Sequence, residues 1–352
     1  MDELLLQLAL GDCSSSFNME KAVCNHGLFM MSPNVWIPST KSLYRPLRLA
    51  DSSHSLSVTV SHPPNHPFLV IKVHGVHSLP SADEAAILEQ VARMLRISSK
   101  DEKDVREFQT LHASAKEKGF GRIFRSPSFF EDAVKSILLC NCGWKRTLAM
   151  AQALCELQAQ MANAQLQPMG VKSNSNRKIF TKRLKHSSNS ESSRSKFDQS
   201  RGNFPTSTEL AYLDEKYLNK RCNLGYRAQS ILQLARKIEN GEIEESCDIT
   251  SHDKLYQKLM KVEGFGPFVC SNIMMCVGSY KRIPSDSETI RHLKEVHGKG
   301  KCSKRTIQKD VEEIYSKLEL VEEYEKKFGV LSELDSASYH LVTGSQQSAL
   351  RE

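Results

Sequence analysis

Two glycines and a proline stand close together in the segment 262–267, which reads V-E-G-F-G-P. A helical stretch at 254–260 precedes this segment, and an apolar helix follows it. Glycines at this spacing allow a very short turn with positive φ and a close approach of its backbone to a ligand. Proline suits the first position of a helix. The turn is therefore predicted to present free amide N–H groups and the positive end of a helix, which together suit a phosphate.

A carboxylate follows the second helix, at Asp286 in the run 283–289, I-P-S-D-S-E-T. Helical spacing resumes at Ile290, so Asp286 stands where a new helix is expected to begin and suits its N-cap. A helix N-terminus also keeps a carboxylate ionised, which suits a group that stabilises developing positive charge. The two roles are compatible, and both are retained.

The elements that must position these residues change type along the chain. Residues 17–77 read as strands of an antiparallel sheet, with alternation at 56–60 and an edge strand suggested by Pro46. At Ser81 the pattern becomes helical, with Ser81 and Glu84 as a capping-box signature, and most of the remaining chain reads as helix. The predicted fold class is α+β, a mostly α-helical domain preceded by a small antiparallel β-sheet domain.

Between residues 163 and 202 the composition shifts to Ser, Asn, Lys and Arg, with few large apolar side chains. Such a stretch cannot bury enough surface to offset its ordering entropy, so we predict a disordered, basic, Ser-rich insertion. Its run 182–185, K-R-L-K, reads as a nuclear localisation signal, a nucleic-acid tether or a solvated linker. The net charge of +7 suits a polyanionic partner without requiring one.

The sequence favours no membrane partner, because no stretch approaches the ~18 consecutive apolar residues of a membrane span. The apolar run 4–10 lacks the basic start and the length of a signal peptide. Ten cysteines are scattered along the chain, which favours reduced thiols in an intracellular protein over a secreted disulfide scaffold.

In its motifs the chain resembles the helix-hairpin-helix (HhH-GPD) DNA glycosylases. The turn at 262–266 looks like their L-P-G-V-G hairpin, and residues 284–286 look like their P-V-D element. Residues 224–228, L-G-Y-R-A, resemble a turn of the 8-oxoguanine DNA glycosylases, and residues 121–148 resemble the first helices of their catalytic domain. Residues 17–76 are similar to the N-terminal domain that these enzymes share with 3-methyladenine DNA glycosylase II.

This resemblance implies a division of the chain into a tail and two domains. Residues 1–15 would be an N-terminal tail, and 16–112 the antiparallel β-sheet domain with a helix. The helical glycosylase domain would comprise 113–162 and 203–345, separated by the insertion.

The family flips a damaged nucleotide out of the duplex and cuts its N-glycosidic bond. By resemblance, Asp286 would stabilise the positively charged sugar and help water attack, and the amides of Gly264 and Gly266 would bind a phosphate beside the lesion. Tyr226 would wedge into the gap in the duplex, with Arg227 near the base left unpaired.

The resemblance also implies that the backbone carbonyls of Met260, Val262 and Phe265 hold Na⁺ or K⁺ at the hairpin, and no cofactor is required. The endonuclease III branch of the family carries four clustered cysteines after the catalytic aspartate. This chain has only Cys302 there, so we predict no iron–sulfur cluster.

One departure from the family bears on the reaction. Bifunctional members carry a lysine two residues after the second hairpin glycine, where this chain has Phe268. Without an amine there is no imine, so we predict a monofunctional glycosylase with no efficient lyase step at the abasic (AP) site. Phe268 reads as a stacking surface for an electron-poor alkylated purine or as a core residue. Asn272, His26 and Phe29 are the other base-pocket candidates.

Three functions follow from these observations. The first is base-excision repair of alkylated bases in double-stranded DNA, by a monomeric nuclear enzyme. The second keeps the fold and changes the lesion to an oxidised or deaminated base. The third is a protein that binds damaged DNA without cutting it, which the retention of Asp286 disfavours because phosphate binding does not need it.

Overall fold

The computed structural model describes residues 2–111, 116–117, 119–165, 202–244, 252–280, 282, 284–298, 300–303, 306–307 and 309–310. Within these residues a small antiparallel sheet is followed by a larger set of helices, so the predicted α+β class is confirmed. One hydrophobic cluster runs through both parts, from Leu6 of the sheet to Val277 of the helices. The sheet and the helices therefore share a continuous core.

The sheet has five strands in the order β1-β5-β4-β3-β2, all paired antiparallel. In β4 and β5 alternate residues such as Val58, Val60 and Ile71 are fully buried, as the period of two predicts. The strands are β1 (Glu3–Ala9), β2 (Val35–Ile37), β3 (Ser42–Arg48), β4 (Ser55–Ser61) and β5 (Phe68–His74).

Three sequence predictions about this part need correction. The first fifteen residues are not a separate tail, because β1 pairs with the whole of β5. Residues 19–30 form α1 (Met19–Val23) and a 3₁₀ turn where strands were expected. The strand around Pro46 is internal, but β2 covers only Ser42–Tyr44, so Pro46 lies on the half of β3 that has one partner strand. A proline there removes no ladder hydrogen bond to β2.

In the part of the chain that the structure describes, ten further helices follow the sheet. They are α2 (Ser81–Leu95), α3 (Ser99–Leu111), α4 (Phe129–Leu138), α5 (Trp144–Gln165), α6 (Ser207–Ala211), α7 (Glu215–Cys222), α8 (Arg227–Glu239), α9 (His252–Met260), α10 (Pro267–Cys276) and α11 (Ser287–His297). The capping box predicted at Ser81 is absent, because Pro80 takes the N-cap position and has no side-chain acceptor. Among these helices α4 is buried on all sides and lies at the centre of the core.

The predicted insertion falls mostly outside the described residues. Helix α5 continues through residues 163–165, so the prediction of disorder is wrong for these three residues. The chain returns at Gly202 and Asn203, where the Asn203 amide donates to Oε1 of Gln158 on α5 at 2.9 Å. A β-carbon at Gly202 would stand 2.4 Å from the carbonyl oxygen of Cys155. Gly202 and Asn203 are therefore packed directly against α5.

A buried ion cluster joins the sheet to the helices. Arg45 on β3 pairs with Glu131 on α4 at 3.0 Å, and Lys135 lies 2.7 Å from the same carboxylate. Burial alone would raise the pKa of Glu131, but Arg45 and Lys135 outweigh it and hold the pKa at about 2. In the described part of the chain, no helix combines the length and the apolar character that a membrane span needs.

Candidate nucleic-acid interface and active site

The hairpin connects α9 to α10 through a turn anchored at both ends. Val262 and Phe265 are buried, whereas Glu263 and Gly264 between them are exposed. Gly264 has φ of +83°, a backbone conformation that favours glycine. Gly266 has φ −119° and ψ 179° at the N-cap of α10, so the prediction of positive φ is confirmed for Gly264 and wrong for Gly266.

The turn presents free donors to solvent. The Phe265 amide donates to the Val262 carbonyl at 3.1 Å. The amides of Gly264 and Gly266 have no hydrogen-bond partner within the described ranges. Pro267 opens α10, whose first amides lack intrahelical acceptors and carry the positive end of the helix dipole. These donors together form a site for an anion.

Helix α8 supports the turn from behind. Both Gln229 and Gln233 donate to Oε2 of Glu263, at 3.0 and 2.7 Å, and the Glu263 amide donates to Gln233 Oε1 at 3.1 Å. A β-carbon at Gly264 would stand 2.3 Å from Ser230 Oγ. The turn therefore rests directly on α8, a contact that the sequence analysis did not predict.

Tyr226 lies at the other end of this support, at the N-cap of α8, and its side chain is 54% exposed. The Arg227 guanidinium carbon lies 4.7 Å from the Tyr226 ring centroid. Arg227 itself is buried and donates to the carbonyls of Leu224, Cys140 and Asn141. Tyr226 is therefore not a core aromatic. Its ring projects from the surface, and Arg227 next to it in the chain is fixed by hydrogen bonds to the backbone.

Asn141 stands beside this ring, and the sequence motifs did not predict it. It lies in the turn between α4 and α5 with φ of +45°, and its Nδ2 is 3.4 Å from the Tyr226 hydroxyl. Asparagine adopts this conformation more readily than most residues, which was the only signal available in the sequence. Asn141 and Tyr226 thus form one exposed projection.

Asp286 caps α11, as predicted. Its Oδ1 accepts from the Thr289 amide at 3.0 Å and from the Thr289 hydroxyl at 3.1 Å, while the Asp286 amide donates to that hydroxyl at 3.2 Å. Arg282 precedes this segment, pairs with Asp253 at 3.2 Å and stacks on Tyr256 of α9. The carboxylate is thus half-buried on a defined backbone, and the segment before it is tied to the hairpin's first helix.

Several solved structures with a similar fold are DNA glycosylases. MBOgg1 in complex with a low-affinity DNA ligand matches over 94% of this chain and 96% of its own, with a TM-score of 0.56 and 17% identity. The 3-methyladenine DNA-glycosylase from Archaeoglobus fulgidus matches over 93% and 97%, with a TM-score of 0.56 and 15% identity. The chain has the fold of these DNA glycosylases.

A third structure with the glycosylase fold is the 8-oxoguanine glycosylase/lyase of Clostridium acetobutylicum, in complex with double-stranded DNA that carries cytosine opposite 8-oxoguanine. It matches over 88% of this chain and 93% of its own, with a TM-score of 0.55 and 15% identity. No protein-family model matches the sequence, and no curated protein sequence does either. At these identities the likeness concerns the fold, and the activity is argued from the site.

Within the glycosylase fold, two of the predicted base-pocket residues are engaged in the core. His26 is buried with Nδ1 at 3.0 Å from the Phe124 carbonyl, and burial lowers its pKa to about 4. Asn272 is buried and donates to the Phe268 carbonyl at 2.9 Å. Phe268 and Phe29 are half-buried and pack against the core, which suits either of the roles considered for them.

The hairpin carbonyls fit the monovalent cation that the resemblance implies. Met260 is the last residue of α9, where carbonyls lack intrahelical donors. The Val262 carbonyl accepts from the Phe265 amide, which leaves one lone pair for an ion. Over the described ranges, no group of three or more His, Cys, Asp or Glu side chains could hold a metal ion.

Proposed function

We propose that this protein is a DNA glycosylase, which hydrolyses the N-glycosidic bond of a flipped damaged base in duplex DNA. The proposal rests on the order of two groups within a glycosylase fold, a pair of free backbone amides and a carboxylate. The unpartnered amides of Gly264 and Gly266 are followed, one helix later, by the Asp286 carboxylate on a capped helix. A phosphate site and an ionisable carboxylate are both groups that base excision needs.

Each group has a role that follows from its position. The amides of Gly264 and Gly266 bind a backbone phosphate and set the register of the duplex. The Tyr226 ring enters the space that the flipped nucleotide leaves, which offsets part of the unstacking cost. Asp286 stabilises the positive charge that develops on the deoxyribose as the base departs, and a water oxygen then bonds to the anomeric carbon.

The same arrangement supports finer proposals about the reaction. Phe268 stands where an imine-forming lysine would be needed, so the enzyme releases the base without cutting the strand. Its half-buried ring favours an alkylated base as the substrate, with an oxidised or deaminated base as the second candidate. We further propose that the protein acts in the nucleus, which its basic insertion and net charge favour, and that it acts as a monomer.

The experiment that tests the function compares wild type with Asp286→Asn on duplexes that each carry one lesion. Asparagine is as good an N-cap as aspartate, so the fold and the duplex affinity are expected to survive. Base release is expected to fall by about two orders of magnitude or more, because the charge acts in the transition state. Abasic sites are scored before and after alkali.

In the wild-type reaction, strands are expected to break only after alkali. Breaks without alkali would contradict the monofunctional proposal but leave base excision intact. Base release by Asp286→Asn at the wild-type rate would remove Asp286 from the catalytic role. A wild type that binds damaged duplexes and releases no base from any of them would favour the third function, recognition without cutting.

A further inference from the structure

The hairpin turn carries an acidic residue at the point where the proposed function places a phosphate. Glu263 is exposed and precedes Gly264 directly. An unneutralised carboxylate so near a phosphate raises the free energy of DNA binding through charge repulsion. The turn that this segment resembles has proline at the same place. The repulsion between Glu263 and the phosphate therefore has to be offset by a favourable interaction of Glu263.

The hydrogen bonds between Glu263 and α8 are such a favourable interaction. Gln229 and Gln233, one helical turn apart on α8, both donate to Oε2 of Glu263. Gln233 also accepts from the Glu263 amide, so side chain and backbone are bound by the same partner. Hydrogen bonds to a charged acceptor are stronger than neutral ones. We define this set of three side chains as the Glu263 clip.

The backbone next to the clip approaches α8 as closely as a glycine allows. Ser230 is buried, and its Oγ would lie 2.3 Å from a β-carbon on Gly264. Gln233 lies four positions after Gln229 and three after Ser230, so it is a neighbour of both on one face of α8. The contacts of the turn thus fall on a single rigid helix.

The same helix begins at Arg227, and Tyr226 is its N-cap residue. The two glutamines of the clip follow Tyr226 by three and seven positions, which corresponds to roughly 4–10 Å along the helix axis. A turn held on this face is therefore held at a constant distance from the Tyr226 ring. The phosphate-binding amides and the projecting ring have to engage one duplex at the same time, so this distance affects both.

We infer that Glu263 is a positioning residue, which docks the phosphate-binding turn onto α8 and so sets its distance from Tyr226. The inference rests on the proposed function, because it takes the turn and the ring to contact the same duplex. It assigns the effect of Glu263 to the hydrogen bonds it accepts and not to its charge. Glutamine at this position keeps an acceptor oxygen and removes the charge, so it separates the two.

The test measures binding to a duplex with a stable abasic-site analogue, and to the undamaged duplex, at constant salt. Glu263→Ala is expected to weaken binding to the analogue duplex about 10-fold, whereas Glu263→Gln stays within about 2-fold of wild type. Glu239→Ala is the matched control. It removes one exposed negative charge from the same helix, where its carboxylate accepts from Thr208 at 3.1 Å, away from the turn.

A second measurement reports on the ring directly. The emission of a fluorescent adenine analogue beside the abasic site changes with the stacking around it, so it follows Tyr226 entry at saturating protein. The change in emission is expected to be smaller with Glu263→Ala than with wild type, and equal to wild type with Glu263→Gln. Gln233→Ala removes the clip from the helix side, and its effect on binding is expected not to add to that of Glu263→Ala. If Glu263→Ala folds poorly, Gln233→Ala replaces it in both measurements.

Three outcomes would overturn the inference. In the first, wild type binds, and Glu263→Ala binds equally well and changes the emission of the probe by the same amount. In the second, Glu263→Gln loses as much affinity as Glu263→Ala, which would assign the effect to charge. In the third, wild type binds neither duplex, which overturns the proposed function together with the inference. Normal binding by wild type and loss only in the clip variants supports both.

Discussion

At the scale of single residues, the two hairpin glycines differ in what they require. Gly264 needs its positive φ and would bring a β-carbon against Ser230, whereas a β-carbon on Gly266 meets no atom within 4 Å in an extended backbone. Both present an amide to solvent. The resemblance gives both glycines the same role, but in the structure only Gly264 has no room for a β-carbon.

We therefore expect Gly264→Ala and Gly266→Ala to behave differently. Gly264→Ala should lower the free energy of unfolding by about 1–3 kcal/mol and weaken binding to damaged and undamaged duplexes by a similar factor. Gly266→Ala should leave stability nearly unchanged. Urea unfolding and duplex titration at one salt concentration measure both effects. Equal losses of stability in the two variants would contradict this assignment.

Arg227 shows the same contrast between residue type and environment. The resemblance places it near the unpaired base, and that role stays a prediction. In the structure its guanidinium serves three backbone carbonyls and supports the Tyr226 ring. Its contribution in this arrangement is to hold the projection in place.

At the scale of elements, Arg227 joins the start of α8 to the turn between α4 and α5. Arg227→Lys keeps the charge but lacks the planar fork that serves several carbonyls at once. We expect the variant to lose about 1–3 kcal/mol of stability, because buried carbonyls are left without donors. Lesion-duplex affinity should fall as well, since Tyr226 loses its support. Thermal unfolding and duplex titration report the two changes.

The control for this element is Arg221→Lys on α7, where the arginine lies near Glu156 and Gln160 at the surface. Surface pairs of this kind contribute little to stability, so no comparable loss is expected. If Arg227→Lys melts like wild type and keeps its affinity, the clamp on the α4–α5 turn is not needed. The resemblance-based role near the base would then be the better account of Arg227.

At the scale of the whole molecule, the Arg45–Glu131–Lys135 cluster joins the sheet to the buried helix α4. Glu131 has a pKa of about 2 in the fold, because Arg45 and Lys135 favour its ionised form over the effect of burial. In an unfolded chain its pKa is about 4.3. The stabilisation is therefore complete above pH ~4.3 and is lost as pH falls toward 2.

We expect this linkage to amount to about 3 kcal/mol at neutral pH, and Glu131→Gln to abolish its pH dependence. The measurement is the free energy of unfolding between pH 2 and 5, for wild type and variant. The buried His26, with a pKa of about 4, loses its contribution over a higher range, from pH ~6.5 down to 4, in both proteins. Parallel curves for the two proteins below pH 4.3 would contradict the role of Glu131.

Local features of this protein could be predicted from sequence because they depend on neighbouring residues. The hairpin between two helices and the cap at Asp286 are set by backbone conformation and hydrogen bonds within a few positions. Alternation in the fourth and fifth strands likewise reflects local burial on one face. These predictions are confirmed.

What only the tertiary structure decided depends on partners distant in the chain. Strand β1 could not be distinguished from a tail until β5 supplied its hydrogen bonds. The burial of Asn272 and His26, and the contact of Glu263 with α8, depend on segments that are distant in the sequence, such as Glu263 and Gln233, which are 30 positions apart. A sequence pattern states what each residue is able to do, whereas packing decides which partner it reaches and whether water reaches it as well.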